Sequence, residues 1–153
     1  MEIAVVIPTL NERDNIGPLL NGILSTDNRL QAIVVDDGSV DGTGDAVTRL
    51  AAEYAARSAD GETRIHLIAR GRKLGYASAV QDGMRFALKS GARLVLQMDA
   101  DFSHDPKYLP QILERSAECD LVIGSRYVPG GGTQNWGIDR TVLSGGANAL
   151  ART

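Results

Sequence analysis

Short apolar runs alternate along the chain with longer segments of helical period. Five such runs predict β-strands, at 3–7, 32–35, 65–68, 94–98 and 121–123. Apolarity within each run is continuous, whereas a strand with one solvated face would alternate apolar and polar positions. Continuous runs are typical of strands covered on both faces, as in parallel sheets.

Helical spacing dominates three of the segments between these runs. Apolar residues recur there with the spacing i, i+3, i+4, i+7 of a helix that buries one face. The three sets are Val47, Leu50, Ala51 and Tyr54; Val80, Met84, Ala87 and Leu88; and Leu109, Ile112, Leu113 and Ala117. Because prolines at 106 and 110 crowd the start of the third, we expect a turn at 105–108 and a helix from about 110. Strand–helix alternation predicts one α/β domain over 1–153, with helices on both faces of the sheet.

Composition and charge narrow the function classes. The formal net charge is −3, from 16 basic and 19 acidic residues, which leaves no basic face and argues against nucleic-acid binding. The single cysteine, Cys119, excludes a disulfide scaffold and fits a reducing compartment. No charge-free stretch exceeds twelve residues, while a membrane-spanning helix needs about 20 apolar residues. Because the first residues also lack a basic leader, we expect a cytoplasmic location.

Polar residues gather where four of the predicted strands end. The segments are 8–12, 36–39, 99–101 and 124–126. Ligands of parallel sheets bind at the carboxyl ends of the strands, so these segments form the expected site. Six of the 13 aspartates fall in the windows 36–41 and 99–105. Short carboxylates beside glycines suit a metal or nucleotide site, although Asp and Gly also populate ordinary turns.

Each aspartate pair has two interpretations. Asp99 and Asp101 follow a strand, and in extended backbone residues i and i+2 project the same way, so both could bind one Mg²⁺ or Mn²⁺ ion. The alternative for this pair is a turn aspartate beside a helix cap. Asp36 and Asp37 could accept hydrogen bonds from a base or ribose. The alternative for that pair is an Asx-turn before a helix capped by Thr43 or Asp41.

Arginine dominates the basic residues, with 13 arginines against 3 lysines. Arg126 and Arg140 flank a glycine-rich loop at 130–132 and suit bidentate binding of a phosphate. Arg70 and Arg72 are interpreted as solvated surface charges. No G-x-G-x-x-G motif follows the first strand, and neither a phosphate-binding P-loop nor a G-x-S-x-G elbow is present. These absences argue against dinucleotide dehydrogenases, P-loop NTPases and α/β-hydrolases.

Four motifs together resemble the family 2 glycosyltransferases. They are PTLNE at 8–12, VVDDGS at 34–39, MDADFSHDP at 98–106 and GSRYVPGGG at 124–132. Within that family, Ser103-His104 and the run from 124 to Trp136 are similar to the polyprenyl-phosphate (dolichyl-phosphate) mannose synthases. The similarity spans nearly the whole chain, in matching order and spacing.

The resemblance implies a GT-A fold, a Rossmann-like three-layer sandwich with a mostly parallel central sheet. It further implies inverting transfer of mannose from GDP-mannose to a polyprenyl monophosphate, with Mg²⁺ or Mn²⁺, at a membrane surface where the protein is peripheral. Since family members continue well beyond position 153, the chain is expected to be incomplete at its carboxyl end.

Site residues carry over by motif position. The resemblance assigns the guanosine to Pro8, Leu10, Glu12, Asp36 and Asp37, the metal to Asp99, Asp101 and the weaker ligand Ser103, and the acceptor phosphate to Arg126 and Arg140. Asp99, Asp101 and Arg126 are the implied catalytic residues. Leu10 stands where a tyrosine is frequent, and Ser103 where some relatives have a metal-binding glutamine.

Two other functions remain open from the sequence. One is a different family 2 enzyme, such as a glucosyl-phosphate-lipid synthase that uses a UDP-sugar. The other is a nucleotide-binding fragment without turnover.

Overall fold

The chain folds around a four-stranded parallel sheet. The computed structural model describes residues 1–59, 61–125 and 128. Its strands are β1 (Ile3–Thr9), β2 (Leu30–Asp36), β3 (Ile65–Ala69) and β4 (Leu94–Gln97), in the spatial order β3-β2-β1-β4. Ile3 of the central strand β1 is in register with both Leu30 and Leu94. The first four predicted strands are confirmed.

Helices connect these strands. They are α1 (Arg13–Thr26), α2 (Thr43–Arg57), α3 (Tyr76–Lys89) and α4 (Leu109–Arg115), and a 3₁₀ turn at Pro106–Tyr108 precedes the last. The expected turn followed by a helix around 110 is confirmed. None of the helices in the described ranges is long and apolar enough to cross a bilayer.

Both faces of the sheet are covered, which explains the continuous apolar runs. Ile3, Val5 and Ile7 of β1 belong to a core cluster shared with α1, α2 and α4. Ala4 and Val6, which point to the opposite face, pack with Ala79 and Ala87 of α3. The result is the predicted three-layer α/β arrangement.

Helix α1 was absent from the predicted elements, although its apolar pattern is strong. Its buried residues are Ile16, Leu19, Leu20, Ile23 and Leu24, the spacing of one helix face. Gly17, Pro18 and Gly22 interrupt this pattern with residues that usually weaken helices. Gly22 has a packing role, because a Cβ there would lie 3.2 Å from the Pro106 ring. Tertiary packing therefore outweighs the local propensity.

The predicted fifth strand at 121–123 was wrong. Residues 121–125 form no strand, and Leu121 and Ile123 are each 76% exposed. Three apolar residues do not make a strand unless a neighbouring strand completes the hydrogen-bond ladder, and no described residue does so here.

The predicted buried face of α3 was only partly right. Ala87 is buried, but Met84 and Leu88 are exposed, and the contact with the sheet is made by Ala79, Gly83 and Ala87. A Cβ on Gly83 would lie 2.4 Å from Val6 Cγ1, so this helix approaches the sheet too closely for large side chains. Of these predicted positions, Ala87 is buried against the sheet, whereas Met84 and Leu88 face solvent.

Candidate functional site

Loops from all four strands gather at the carboxyl edge of the sheet. They comprise residues 10–12 after β1, 37–42 after β2, 70–75 after β3 and 98–105 after β4. β2 lies on one side of β1 and β4 on the other, so the strand order reverses between β1 and β4. A crevice at such a reversal is the usual ligand site of open α/β sheets.

The loop after β2 fixes the start of α1. Ser39 Oγ accepts the Asn11 amide at 2.8 Å, Thr43 Oγ1 accepts the Glu12 amide at 2.9 Å, and Asp41 Oδ2 accepts the Arg13 amide at 3.0 Å. These acceptors satisfy backbone donors that would otherwise lack partners. Asp41 also accepts the Thr43 hydroxyl and amide, and the hydroxyl is the main reason that the pKa of Asp41 lies below its usual value.

The candidate nucleoside residues of the first motif lie at the end of β1 and in the loop that follows it. Pro8 is buried within β1, in register with Val35. Leu10 and Glu12 are half-buried, and the Glu12 carboxylate accepts a hydrogen bond from Asn15 Nδ2 at 2.7 Å.

Asp36 and Asp37 are both buried, with exposed fractions of 7% and 5%. Asp36 Oδ1 accepts hydrogen bonds from the amide and hydroxyl of Ser39, the amide at 3.1 Å. Asp36 therefore closes the turn that follows β2, which is the Asx-turn alternative of the sequence analysis.

Asp37 fastens the loop between β3 and α3. Its Oδ1 accepts the Leu74 amide at 2.8 Å and its Oδ2 accepts the Gly75 amide at 2.9 Å, while Arg70 Nη1 lies 3.1 Å from Oδ1. Burial alone would raise the pKa of Asp37, but these donors outweigh it and hold that pKa below its usual value. The carboxylate is thus charged and bound on both oxygens.

Arg70 is buried, so its interpretation as a solvated charge was wrong. Its side chain is 4% exposed and donates to the Gly75 carbonyl at 3.2 Å and to the Ser78 hydroxyl. Nε lies 3.4 Å from Asp82 Oδ2 without a hydrogen bond of good geometry. Sequence position could not reveal this, because the partners lie just after β2, just before α3 and within α3. Arg72 is exposed, as expected.

Gly38 allows the same loop to cross the end of β2. Its φ is +85°, and a Cβ there would lie 2.8 Å from the Arg72 Cα and carbonyl carbon. Only glycine combines this φ with such a close approach of two backbones.

Asp99 lies immediately beyond β4 and is half-buried. Its Oδ1 accepts hydrogen bonds from the Tyr76 hydroxyl at 2.7 Å and from Gln97 Nε2 at 3.0 Å. Its amide donates to His104 Nδ1 at 3.0 Å. Since Nδ1 is an acceptor there, the neutral imidazole carries its proton on Nε2. His104 is therefore a turn histidine that holds the Asp99 backbone.

Asp101 lies in the turn that follows Asp99 and is exposed. Its Oδ1 accepts the Ser103 amide at 2.9 Å. Partial desolvation of the carboxylate raises the pKa of Asp101, but the hydrogen bonds from Ser103 outweigh that effect and hold the pKa below its usual value. β4 ends at Gln97 and a turn begins at residue 100, so the assumption of extended backbone across 99–101 was wrong.

The carboxylates of Asp99 and Asp101 could supply some, but not all, of the ligands of a small hard cation such as Mg²⁺. No group of three or more His, Cys, Asp or Glu side chains within the described ranges could enclose a metal ion. Mg²⁺ sites at phosphates need no such enclosure, because one or two carboxylates, water and the substrate complete the octahedron. Asp99 and Asp101 could supply the two carboxylates of such a site.

Tyr76 and Gln97 were missed by the sequence analysis. Burial, followed by the hydrogen bond to Asp99, raises the pKa of Tyr76 to about 12, so its hydroxyl remains a proton donor at neutral pH. Gln97 ends a strand and Tyr76 begins a helix 21 positions earlier, so no local motif joins them. Arg126 and Arg140, the two expected phosphate ligands, lie outside the described residues.

Two curated proteins are similar to this chain over nearly its whole length. A polyprenol monophosphomannose synthase of Mycolicibacterium smegmatis is 42% identical over 149 residues, covering 97% of this chain and 54% of the relative. An undecaprenyl-phosphate mannosyltransferase of Micrococcus luteus is 38% identical over 144 residues, covering 94% of this chain and 56% of the relative. The chain therefore spans about half the length of these curated relatives.

Solved structures support the GT-A fold. Residues 1–349 of S. aureus TarS, crystallised with UDP-GlcNAc, superpose with a TM-score of 0.57 at 19% identity, over 84% of this chain and 37% of that one. The predicted GT-A architecture is confirmed, here with an all-parallel sheet in the described part. The family model for glycosyl transferase family 2 matches residues 4–151. The chain thus belongs to glycosyl transferase family 2.

Proposed function

We propose that this chain forms the donor-binding part of an enzyme that transfers mannose from GDP-mannose to a polyprenyl monophosphate. The observation that carries the proposal is the acidic turn at Asp99–Asp101, which lies at the crevice between β1 and β4. The 42% identity with a polyprenol monophosphomannose synthase supports the choice of sugar and acceptor.

In this proposal Asp99 and Asp101 hold Mg²⁺ or Mn²⁺ on the donor diphosphate. When bound, such a cation neutralises charge on the departing diphosphate. Ser103 contributes by holding Asp101, since its amide donates to Oδ1, and its hydroxyl is a weaker ligand than a carboxylate. His104 holds the backbone of Asp99 in the same turn.

The nucleoside would lie against the loops after β1 and β2. Leu10 and Glu12 would contact it, and Pro8 would shape the end of β1 beneath it. Asp36 already accepts hydrogen bonds from Ser39 of its own loop, and Asp37 accepts them from the loop between β3 and α3. Their main contribution would therefore be to hold these loops in place, with remaining lone pairs open to the base or ribose.

The acceptor phosphate would bind to Arg126 and Arg140. A phosphate monoester is anionic at neutral pH, so attack on the sugar needs no general base. Attack opposite the departing diphosphate would invert the configuration at the anomeric carbon. Because the acceptor is a lipid, the protein would act as a peripheral protein on the cytoplasmic face of a membrane.

Transfer from competing labelled donors tests this function. The protein is incubated with a polyprenyl phosphate, Mn²⁺ and either radiolabelled GDP-mannose or radiolabelled UDP-glucose, and the organic phase is counted. We expect label in the lipid fraction from GDP-mannose only. A clear preference for UDP-glucose would refute the mannosyl assignment. Donor-dependent binding without lipid labelling would instead identify a binding fragment.

A further inference from the structure

Three polar groups form a closed hydrogen-bonded triangle around one oxygen of Asp99. The Tyr76 hydroxyl donates to Asp99 Oδ1 at 2.7 Å, and Gln97 Nε2 donates both to that oxygen at 3.0 Å and to the Tyr76 oxygen at 2.8 Å. Because a carboxylate only accepts, the Gln97 amide must present its NH₂ group to Asp99.

The second carboxylate oxygen is in a different situation. Among the described residues, no hydrogen bond reaches Asp99 Oδ2. The nearest ring nitrogen, His104 Nδ1, lies 3.9 Å away and already accepts the Asp99 amide proton, so it cannot donate. Within the part of the chain that the structure describes, Asp99 is therefore asymmetric, with two donors on Oδ1 and none on Oδ2.

The position of Tyr76 is fixed by the loop before it. Tyr76 is the first residue of α3, and the preceding Gly75 has a φ of +101°. The Gly75 amide donates to the buried Asp37, which is itself paired with Arg70. The Tyr76 hydroxyl is thus held against Asp99 from a rigid frame, which is the arrangement that orients a metal ligand.

The number of open oxygens on a carboxylate affects which cation it binds. Ca²⁺ accepts six to eight oxygens and commonly takes a carboxylate through both, whereas Mg²⁺ requires a small octahedron and takes one oxygen from each carboxylate. An oxygen that already accepts two hydrogen bonds is a poor additional ligand. A carboxylate fixed in this way favours the smaller ion.

We propose that Tyr76 and Gln97 make Asp99 a one-oxygen ligand and thereby bias the site toward Mg²⁺ and against Ca²⁺. Tyr76 and Gln97 are positioning residues that act through Asp99. The inference rests on the proposed function, because it requires Asp99 to bind the cation.

The test is the ratio of two dissociation constants measured on the same chain. MgCl₂ and CaCl₂ are titrated separately into the ¹⁵N-labelled protein in the presence of GDP, whose diphosphate supplies further oxygen ligands, and the amide shifts of residues 99–104 are followed. Tyr76→Phe removes only the hydroxyl and leaves the ring. Since outer-shell partners of metal ligands change affinity by ~10–100-fold, we expect the ratio Kd(Ca²⁺)/Kd(Mg²⁺) to fall about tenfold in Tyr76→Phe. Gln97→Leu removes the other donor to Asp99 Oδ1 and should also lower this ratio.

Tyr54→Phe is the matched control. The Tyr54 hydroxyl donates to Asn21 Oδ1 at 3.0 Å, between α1 and α2, so this variant loses a similar hydrogen bond away from the site. Its ratio should equal that of the wild type. A loss of packing or stability would not change the ratio of two cations on one protein, so the readout separates positioning from a structural role.

Asp99→Asn separates failure of the inference from failure of the proposed function. If Asp99→Asn weakens Mg²⁺ binding while Tyr76→Phe and Gln97→Leu keep the wild-type ratio, the role of the triangle is refuted and the metal site stands. If Asp99→Asn binds Mg²⁺ as the wild type does, Asp99 is no ligand and both proposals fail.

Discussion

Two aspartate pairs follow β2 and β4 at the same edge of the sheet, and they differ in what their oxygens already bind. Asp36 and Asp37 are buried, and both oxygens of Asp37 accept amides while a buried arginine lies beside them. Asp99 is half-buried and Asp101 is exposed, and Oδ2 of Asp99 has no hydrogen bond within the described residues. Asp37 thus has the contacts of a structural fastening, whereas Asp99, like Asp36, has hydrogen bonds on Oδ1 only in the described part of the chain; Asp36 differs from Asp99 in its deeper burial.

The two pairs are nevertheless connected through one short loop. Asp37 binds the Gly75 amide, the next residue is Tyr76, and the Tyr76 hydroxyl binds Asp99. Asp37 therefore helps to position the tyrosine that donates a hydrogen bond to Asp99. Hydrogen bonding on both oxygens distinguishes Asp37 from Asp99, although both residues lie just beyond the end of a strand.

Asp37→Asn should have the largest effect on stability. The substitution removes the charge beside the buried Arg70 and turns an NH₂ group toward donors. Breaking a buried ion pair by removing one partner costs about 3–5 kcal/mol, and we expect a loss in the free energy of unfolding near the lower end of that range. Urea unfolding followed by circular dichroism measures it.

Glu53→Gln is the matched control for this substitution. Glu53 pairs with Arg57 at 3.7 Å on the exposed face of α2. An exposed pair of this kind contributes at most about 0.5 kcal/mol, so stability should hardly change. Equal losses in the two variants would mean that Asp37 is no fastening, and the contrast drawn between the aspartate pairs would collapse.

Gly38→Ala tests how closely the β3–α3 loop crosses the end of β2. Alanine at positive φ costs about 1–2 kcal/mol, and the added Cβ also meets the Arg72 backbone at 2.8 Å. Gly91→Ala imposes a similar φ, +78°, with no atom within 4 Å of the new Cβ. We expect Gly38→Ala to lose about twice as much unfolding free energy as Gly91→Ala. Indistinguishable losses would argue against the close crossing.

The dependence of stability on pH gives a smaller effect with a defined sign. The folded pKa of Asp37 lies below its unfolded value of about 3.9. Its stabilisation is therefore complete above that value and is lost as the pH falls through the folded pKa. The stability gap between wild type and Asp37→Asn should be wider at pH 7 than at pH 3. A gap that is constant or widens in acid would contradict the assignment, since other carboxylates contribute to both proteins.

Much of the fold could be predicted because it depends on local patterns. Continuous apolar runs predicted β1 to β4. Strand–helix alternation predicted the parallel sheet and the edge at which the candidate site lies. The failures required knowledge of distant partners. Helix α1 contains Gly22, which packs against Pro106, and α3 presents Gly83 to Val6, so packing decided where propensity misled.

The site was predictable to the level of motifs and no further. The positions of Asp99 and Asp101 followed from their place after a strand. The burial of Arg70 and the contact between Tyr76 and Asp99 depend on groups from separate elements, which one sequence does not juxtapose. The hydrogen bonding of both Asp37 oxygens, which separates Asp37 from Asp99, is likewise a property of the folded chain.

Calorimetric titration of GDP in the presence and absence of Mn²⁺ tests most directly whether the β4 pair is the metal site. Asp99→Asn and Asp101→Asn each remove one of two anionic ligands, so each should weaken Mn²⁺-dependent GDP binding about tenfold or more. Glu53→Gln, remote from the site, should bind as the wild type does, and removal of Mn²⁺ should reduce the differences between the proteins. Wild-type GDP affinity in both aspartate variants with Mn²⁺ present would contradict the assignment.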